Sequence, residues 1–396
     1  MPEYSVWGIL IAMKNTTAGS TRLAWFTRSI AALAFTTFAA ISHAQTFTVL
    51  HQFNGPTEGQ NPYGTPFVSN GIVYGTTAYG GLGGTYSNLG TVWTYTLNTD
   101  TFAVLYQFGY INGIGNARAG VTVEQTNDGL GPKLLGAAFS GGKYGNGVVF
   151  ILQDNVLNTI ASFTNDAFGP WNPPIIGKNG LLLGALSYGH NKLGGIYTVP
   201  PVVNSPKYSL VASFGNAFGN GPHSVIESGI GYYFTAAGVN IEQLQTGLLT
   251  TIANPANQYM YGGMATDGHG YLYGTTYGDS LGDVGTLFEV QPSTQNVILL
   301  HTFTGPDGAN PAGNLLRDTN GNLFGTTTAG GANNAGTVFE YSAAGTFTTL
   351  YEFTGGDDGA TPYAGLALDQ AGNLDGTTVY GGTNGAGVLF RISGVD

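Results

Sequence analysis

One block of text recurs along this 396-residue chain: Gly270–Val290 reads GYLYGTTYGDSLGDVGTLFEV, Gly321–Tyr341 reads GNLFGTTTAGGANNAGTVFEY and Gly372–Ile392 reads GNLDGTTVYGGTNGAGVLFRI. Self-similarity of this kind restricts a chain to architectures in which each unit buries its apolar face against the next. The same text opens the chain's first unit as Ile72-Val73-Tyr74-Gly75-Thr76-Thr77, followed by Gly90-Thr91-Val92-Trp93. With the small residue of the GTT element as a ruler, the repeats fall at Gly75, Gly136, Gly184, Thr235, Gly274, Gly325 and Gly376, at spacings of 61, 48, 51, 39, 51 and 51 residues. The second to fourth repeats are degenerate, with Ala137, Ala185 and Ala236 in place of Thr. One four-stranded propeller blade takes roughly 40 to 50 residues. The spacing therefore predicts an all-β fold, a seven-bladed β-propeller of four-stranded blades.

Within a repeat every local signal is β. Phe347–Phe353 alternates and is rich in Thr and aromatic residues, as a half-buried strand requires. It follows GTVFEY through the turn Ser342-Ala343-Ala344-Gly345. A loop such as Thr304–Pro311 comes next, then a strand at Leu315-Leu316 and a turn at Asp318–Gly321 leading into GTT. No helical periodicity is evident beyond the N-terminal segment. The chain carries a lone copy of the last strand type at Phe47–Phe53 and ends on its usual predecessor, Val388–Ile392. Pairing of these two segments is expected to complete the last blade, closing the ring and removing an exposed sheet edge.

At GNLFGTTTAGG and AGTVFEY the text resembles the GloVer-type tandem repeat of bacterial exported proteins. The resemblance spans nearly all of the chain after residue 44, strongest in repeats one, five, six and seven. It implies export and a propeller, and it implies no particular reaction. Relatives in that family often carry a C-terminal anchor, whereas this sequence ends at Asp396, which favours release into the periplasm or medium.

Residues 1–44 read as a signal peptide: Lys14, Arg22 and Arg28, then an apolar run Ile30–Ile41, then Ser42-His43-Ala44 as a cleavage site, with Met13 as an alternative start. Residues 45–396 are expected to form a single domain, secreted or periplasmic. The chain has no Cys, so neither a disulfide framework nor a lipidated Cys holds it. Its formal net charge is −11. Losing three of the 11 basic and one of the 22 acidic residues with 1–44 makes that −13. So acidic a surface repels phosphate backbones, which argues against nucleic acid and anionic membranes, and no later stretch is long enough to span a bilayer. The protein is expected to act as a monomer.

Recurrence of GTT in every repeat marks it as architecture, with Gly permitting close approach near a crowded axis and Thr suiting a half-buried surface. Ser187 and His190 suggest a nucleophile elbow, but the segment aligns with Thr326–Gly331 of the repeat rather than with a strand-to-helix turn. His51 and His301 share a repeat position with Tyr106 and Tyr351, as interchangeable strand residues do. No zinc-hydrolase, nucleotide-binding or EF-hand pattern is present. Asp318–Asn322 and Asp369–Asn373 are oxygen-rich turns able to hold calcium, though Asx turns at hairpins explain them more cheaply. No cofactor is expected beyond that calcium.

Candidate binding residues lie on the loops preceding each blade's second strand: Glu58, Asn61 and Tyr63; Asp166, Phe168 and Trp171; Phe218 and His223; Asp307 and Asn310; Asp357, Asp358 and Tyr363. Aromatic platforms beside carboxylates and amides suit a carbohydrate or protein ligand. The irregular stretches PWNPP and FGNGPH are where repeat constraint relaxes. Asp375 interrupts a column of Tyr74, Leu135, Leu183, Phe234, Tyr273 and Phe324, and must find a partner or face a wet channel. The expected function is a non-catalytic binding or scaffolding propeller with an acidic, aromatic loop face. The alternatives are an exported hydrolase or lyase with Asp307, Asp357 and His223 at the channel mouth, and a purely structural extracellular protein.

Overall fold

The computed structural model describes residues 45–395 apart from 82–87, 110–112, 190–193, 203–206, 215–219, 229–230, 238–239, 246–247, 256–257 and 279–281. All of these lie in one compact unit, Ser42–Asp396. The signal-peptide expectation, His190 and Phe218 fall outside the described residues.

The fold is an all-β propeller of four-stranded antiparallel blades. In the first repeat, Phe67–Ser69, Ile72–Thr77, Thr91–Thr96 and Thr101–Gln107 pair in chain order. Where seven uniform four-stranded sheets are expected, six form. The repeat around Gly325 makes a five-stranded sheet, because Ala309–Pro311 and Leu316–Arg317 both pair with the long strand Leu323–Ala329. The last sheet is assembled from both ends of the described chain: Thr46–Gln52 pairs antiparallel with Val388–Ser393, from Thr46 opposite Ser393 to Gln52 opposite Val388. One helical turn, Gly55–Glu58, interrupts the β pattern, its first turn capped by the Asn54 side chain, which accepts from the Thr57 N–H.

The GTT element acquires a specific physical role. In six repeats its Gly lies opposite an aromatic residue of the next strand: Gly75 and Trp93, Gly136 and Phe150, Gly184 and Tyr197, Gly274 and Phe288, Gly325 and Phe339, Gly376 and Phe390. Each ring folds flat over its Gly, where a Cβ would collide with ring atoms, and all six aromatics are buried. The Gly therefore makes room for a neighbour's ring rather than for a crowded axis. The fourth repeat, with Thr235, places Ile241 opposite instead.

The two threonines divide the remaining work. The first ties a sheet to the next repeat: Thr76 Oγ1 accepts from Gly120 N–H at 3.1 Å, Thr326 Oγ1 donates to Ala364 C=O at 2.8 Å, and Thr377 Oγ1 donates to Pro62 C=O at 3.2 Å. The second, Thr77 or Thr327, bonds across the sheet to Thr91 or Thr337 at 2.9 Å. Another recurring lock joins the Phe that ends each outer strand to the Gly before the third strand. Phe108 N–H bonds Gly90 C=O at 3.0 Å, Phe353 bonds Gly336 at 3.0 Å, and Phe53 bonds Gly387 at 3.1 Å. The Gly is required there because the backbone is left-handed, with φ of 98° at Gly336. Phe53 and Leu389 also share one buried cluster with Val73 and Trp93, so the last sheet packs on the first.

Candidate ligand-binding site

One position near the start of each repeat lines a common depression. The residues there are Tyr63, Arg118, Trp171, His223, Tyr261, Ala312 and Tyr363. In four repeats the residue two places earlier is left-handed: Asn61 at φ 57°, Asn116 at 60°, Asn310 at 59° and Thr361 at 55°. Asn tolerates this conformation through its short polar side chain, and the bend precedes by two positions the residue that lines the depression. Asn310 thus shapes the loop. Its N–H bonds Val284 C=O at 2.8 Å and its C=O accepts from Thr328 Oγ1 at 2.9 Å.

Beneath these side chains lies a polar floor. Asn314 Nδ2 donates to Asn172 Oδ1 at 3.1 Å and to Thr65 Oγ1 at 3.2 Å, while its Oδ1 accepts from Gly263 N–H at 2.7 Å. Asn172 Nδ2 donates to His223 C=O at 2.7 Å, and Thr65 Oγ1 also accepts from Gly365 N–H at 3.0 Å. These bonds join the third, sixth and first repeats directly. What the sequence suggested as a channel is therefore a floored depression, with about 30 Å³ of enclosed space below its mouth.

The walls are aromatic. Trp171 stacks on His223 at 5.5 Å, His223 lies 5.3 Å from Tyr261, and Tyr63 meets Tyr363 edge-on at 5.5 Å. Arg118 sits among four rings, its guanidinium carbon 5.2 Å from the centroid of Tyr63, 5.3 Å from Trp171, 5.6 Å from Phe139 and 5.8 Å from Tyr79. Burial pushes the His223 imidazole down to about 4, against a hydrogen bond to the Tyr261 backbone, so it is neutral at pH 7. Burial, with Tyr261 and Tyr277 nearby, pushes the Tyr363 phenol up to about 12, so it remains a donor. The Trp171 Nε1 is buried with no hydrogen-bond partner. No Asp or Glu lines the depression among the described residues.

Of the residues singled out in the sequence, Tyr63, Trp171, His223 and Tyr363 line the depression together. The carboxylates lie elsewhere. Asp307 accepts from the Thr304 N–H at 2.7 Å and meets His301 Nε2 at 2.8 Å. Asp358 accepts from the Thr354 N–H at 2.8 Å and from the Tyr351 hydroxyl at 3.0 Å, and Glu58 from the Asn54 N–H and with His51, both at 3.0 Å. These three occupy one repeat position and staple each loop to the preceding strand. Asp357 is exposed and takes a 3.4 Å bond from Thr383 Oγ1; Asp166 is exposed beside Thr164. Phe168 stacks on Tyr188 at 5.0 Å.

Asp375, fully buried, finds a partner in Arg391, its cross-strand neighbour, through two bonds of 2.8 Å; Arg391 also reaches Asp369 at 2.9 Å. Asp318 and Asp369 spend both carboxylate oxygens on Asn322 and Asn373 of their own turns. No group of three or more His, Asp or Glu able to hold a metal occurs among the described residues. Ser187 is buried, with its Oγ unpartnered.

Arg118, Tyr261, Asn172, Asn314 and Thr65 escaped the sequence reading. Aligning the seven loops by the residue after Pro62, Ala117, Pro170, Pro222, Met260, Pro311 and Pro362 would have exposed the column.

The sheet order defines a β-propeller, and its loops carry a depression with aromatic walls. Residues 227–395 match the family model described as the Gloeobacter/Verrucomicrobia repeat, in agreement with the repeated text. No curated protein sequence matches the chain. Among solved structures the chain is similar in fold to the GH74 xyloglucanase from Xanthomonas campestris, with a TM-score of 0.56 and 14% identity over 87% of this chain. It spans 53% of that enzyme's length. An oligogalacturonate lyase from Vibrio parahaemolyticus gives 0.55 at 10% identity, covering 87% of this chain and 93% of that one. A chain of the mitotic checkpoint complex gives 0.54 at 12%, covering 94% and 98%. Identities this low establish the fold and leave function to the site. No helix among the described residues is long and apolar enough to cross a membrane.

Proposed function

We propose that this is an exported, seven-bladed ring, shut by the pairing of Thr46–Gln52 with Val388–Ser393, whose axial depression binds carbohydrate without catalysis. The observation that carries the binding reading is the convergence of Tyr63, Trp171, Tyr261, Tyr363 and Arg118, from five repeats, on an amide and hydroxyl floor. Aromatic faces stack on the C–H faces of sugar rings, and amides and hydroxyls take their hydroxyl groups. Two of the similar folds are named as a xyloglucanase and an oligogalacturonate lyase. For ring closure, support comes from the strand pairing and from the cluster shared by the last and first sheets.

A hydrolytic pair needs two carboxyl groups about 5 to 10 Å apart across the substrate. None lines the depression among the described residues, and the expected trio of Asp307, Asp357 and His223 is divided among a loop staple, an exposed carboxylate and a stacked, neutral imidazole. Binding is therefore preferred to catalysis.

A glycan array with polysaccharide pull-down, run with and without calcium, tests this. Retention of at least one glycan, weakened about tenfold or more by Trp171→Ala and Tyr363→Ala with folding intact, is the expected result. Silence across all glycans would overturn the reading in favour of a protein ligand or a structural role.

A further inference from the structure

We infer that Arg118 makes the depression selective for acidic sugars, a carboxylate-bearing ring of the uronate type seated against the aromatic wall. This rests on the carbohydrate reading above.

Arg118 is the one cation lining the depression among the described residues, since His223 is neutral. A second half-buried arginine shows what the fold does with such a charge: Arg391 is held by Asp375 and Asp369. Among the described residues no carboxylate pairs with Arg118. Its Nε donates to Asn116 Oδ1 and its Nη2 to the Tyr79 hydroxyl, both at 2.7 Å, and both acceptors are neutral. In a chain with twice as many acidic as basic residues, a guanidinium packed among four aromatic rings with no carboxylate beside it is a specific departure.

The geometry is that of a prepared anion site. Two of the five guanidinium N–H groups fix its plane, leaving the others for a ligand. A planar carboxylate matches that fork, and the surrounding rings displace water and strengthen the charge-assisted bond. Trp171 and Tyr63 flank the same guanidinium, so a ring held by its carboxylate would lie against aromatic faces.

The test compares oligogalacturonides with their methyl esters, which keep the ring and hydroxyls and lose only the charge, using calorimetry on the whole mature protein. The acid form is expected to bind about ten- to a hundredfold more tightly, by an amount that shrinks with added salt. Arg118→Gln should abolish that preference, so that acid and ester forms bind the variant equally. Equal or tighter binding of the ester to the unmodified protein would overturn the inference without recourse to any variant. Binding of neutral glycans with no binding of uronates would overturn it and leave the carbohydrate reading standing; silence towards both would remove the two together.

Discussion

Gly325 lies beneath the ring of Phe339, its register partner, so that a Cβ on Gly325 would stand 2.5 Å from the ring's Cζ. A rigid, buried ring cannot yield that space without leaving its rotamer. Gly325→Ala is expected to cost about 1–3 kcal/mol. Gly325→Thr should cost more, and Phe339→Ile should recover part of that loss, since the fourth repeat already pairs Thr235 with Ile241. Urea midpoints of the four proteins check this; a neutral Gly325→Ala would show that the ring is not fixed by its neighbour.

Asp375 stands, buried and paired with Arg391, in a column that is otherwise apolar or aromatic. Arg391→Leu should destabilise by about 3–5 kcal/mol, because it strands a fully buried carboxylate. Adding Asp375→Leu, which restores the residue class found in the other repeats, should return most of that stability. If the double variant unfolds as easily as the single one, the pair stabilises through contacts other than charge compensation.

Glu242 is buried, accepts one bond from Thr251 Oγ1 at 2.7 Å, and has its other oxygen unpartnered. Burial pushes its carboxyl up to about 7, the Thr251 hydroxyl pulling the other way. The folded state therefore holds this proton more tightly than the unfolded state does. Its contribution is complete below about pH 4.5 and is lost as pH rises towards about 7, a decline of order 2–3 kcal/mol. Glu242→Gln should flatten that part of the stability profile, read as denaturant midpoints between pH 4.5 and 8. An unchanged slope would mean that the carboxyl is already ionised in the folded protein at low pH.

Thr46 and Ser393 face each other at one end of the pairing that joins the chain's two terminal strands. The sequence has no Cys, so Thr46→Cys with Ser393→Cys introduces a single pair of thiols. Oxidation should link them intramolecularly, shifting gel mobility and raising the unfolding midpoint by the equivalent of about 4–5 kcal/mol, since the loop spans nearly the whole domain. Predominantly intermolecular disulfides would refute closure within one chain.

Much of the fold was legible because its causes are local. Alternating Thr and aromatic residues make strands, Asp and Asn with Gly make turns, and both recur at a nearly fixed spacing. Loop carboxylates misled for a related reason. Asp307 and Asp358 look available on paper, yet the N–H of Thr304 or Thr354 in the same loop and a side chain of the preceding strand already occupy them. The five-stranded sheet was also illegible, since it depends on how far Leu323–Ala329 stays straight once packed.

By itself the sequence determined the repeat, the β character of each unit and the chain order of its strands, all set by interactions within some fifty residues. Only the tertiary structure decided that Tyr63, Arg118, Trp171, His223, Tyr261 and Tyr363 share a wall and that Asn172, Asn314 and Thr65 floor it. These residues differ in type and lie far apart in the chain, and no local pattern relates a tyrosine to an arginine. Packing each sheet against the next brings one loop position from every repeat to a common centre, and proximity there is a property of the assembled sheets.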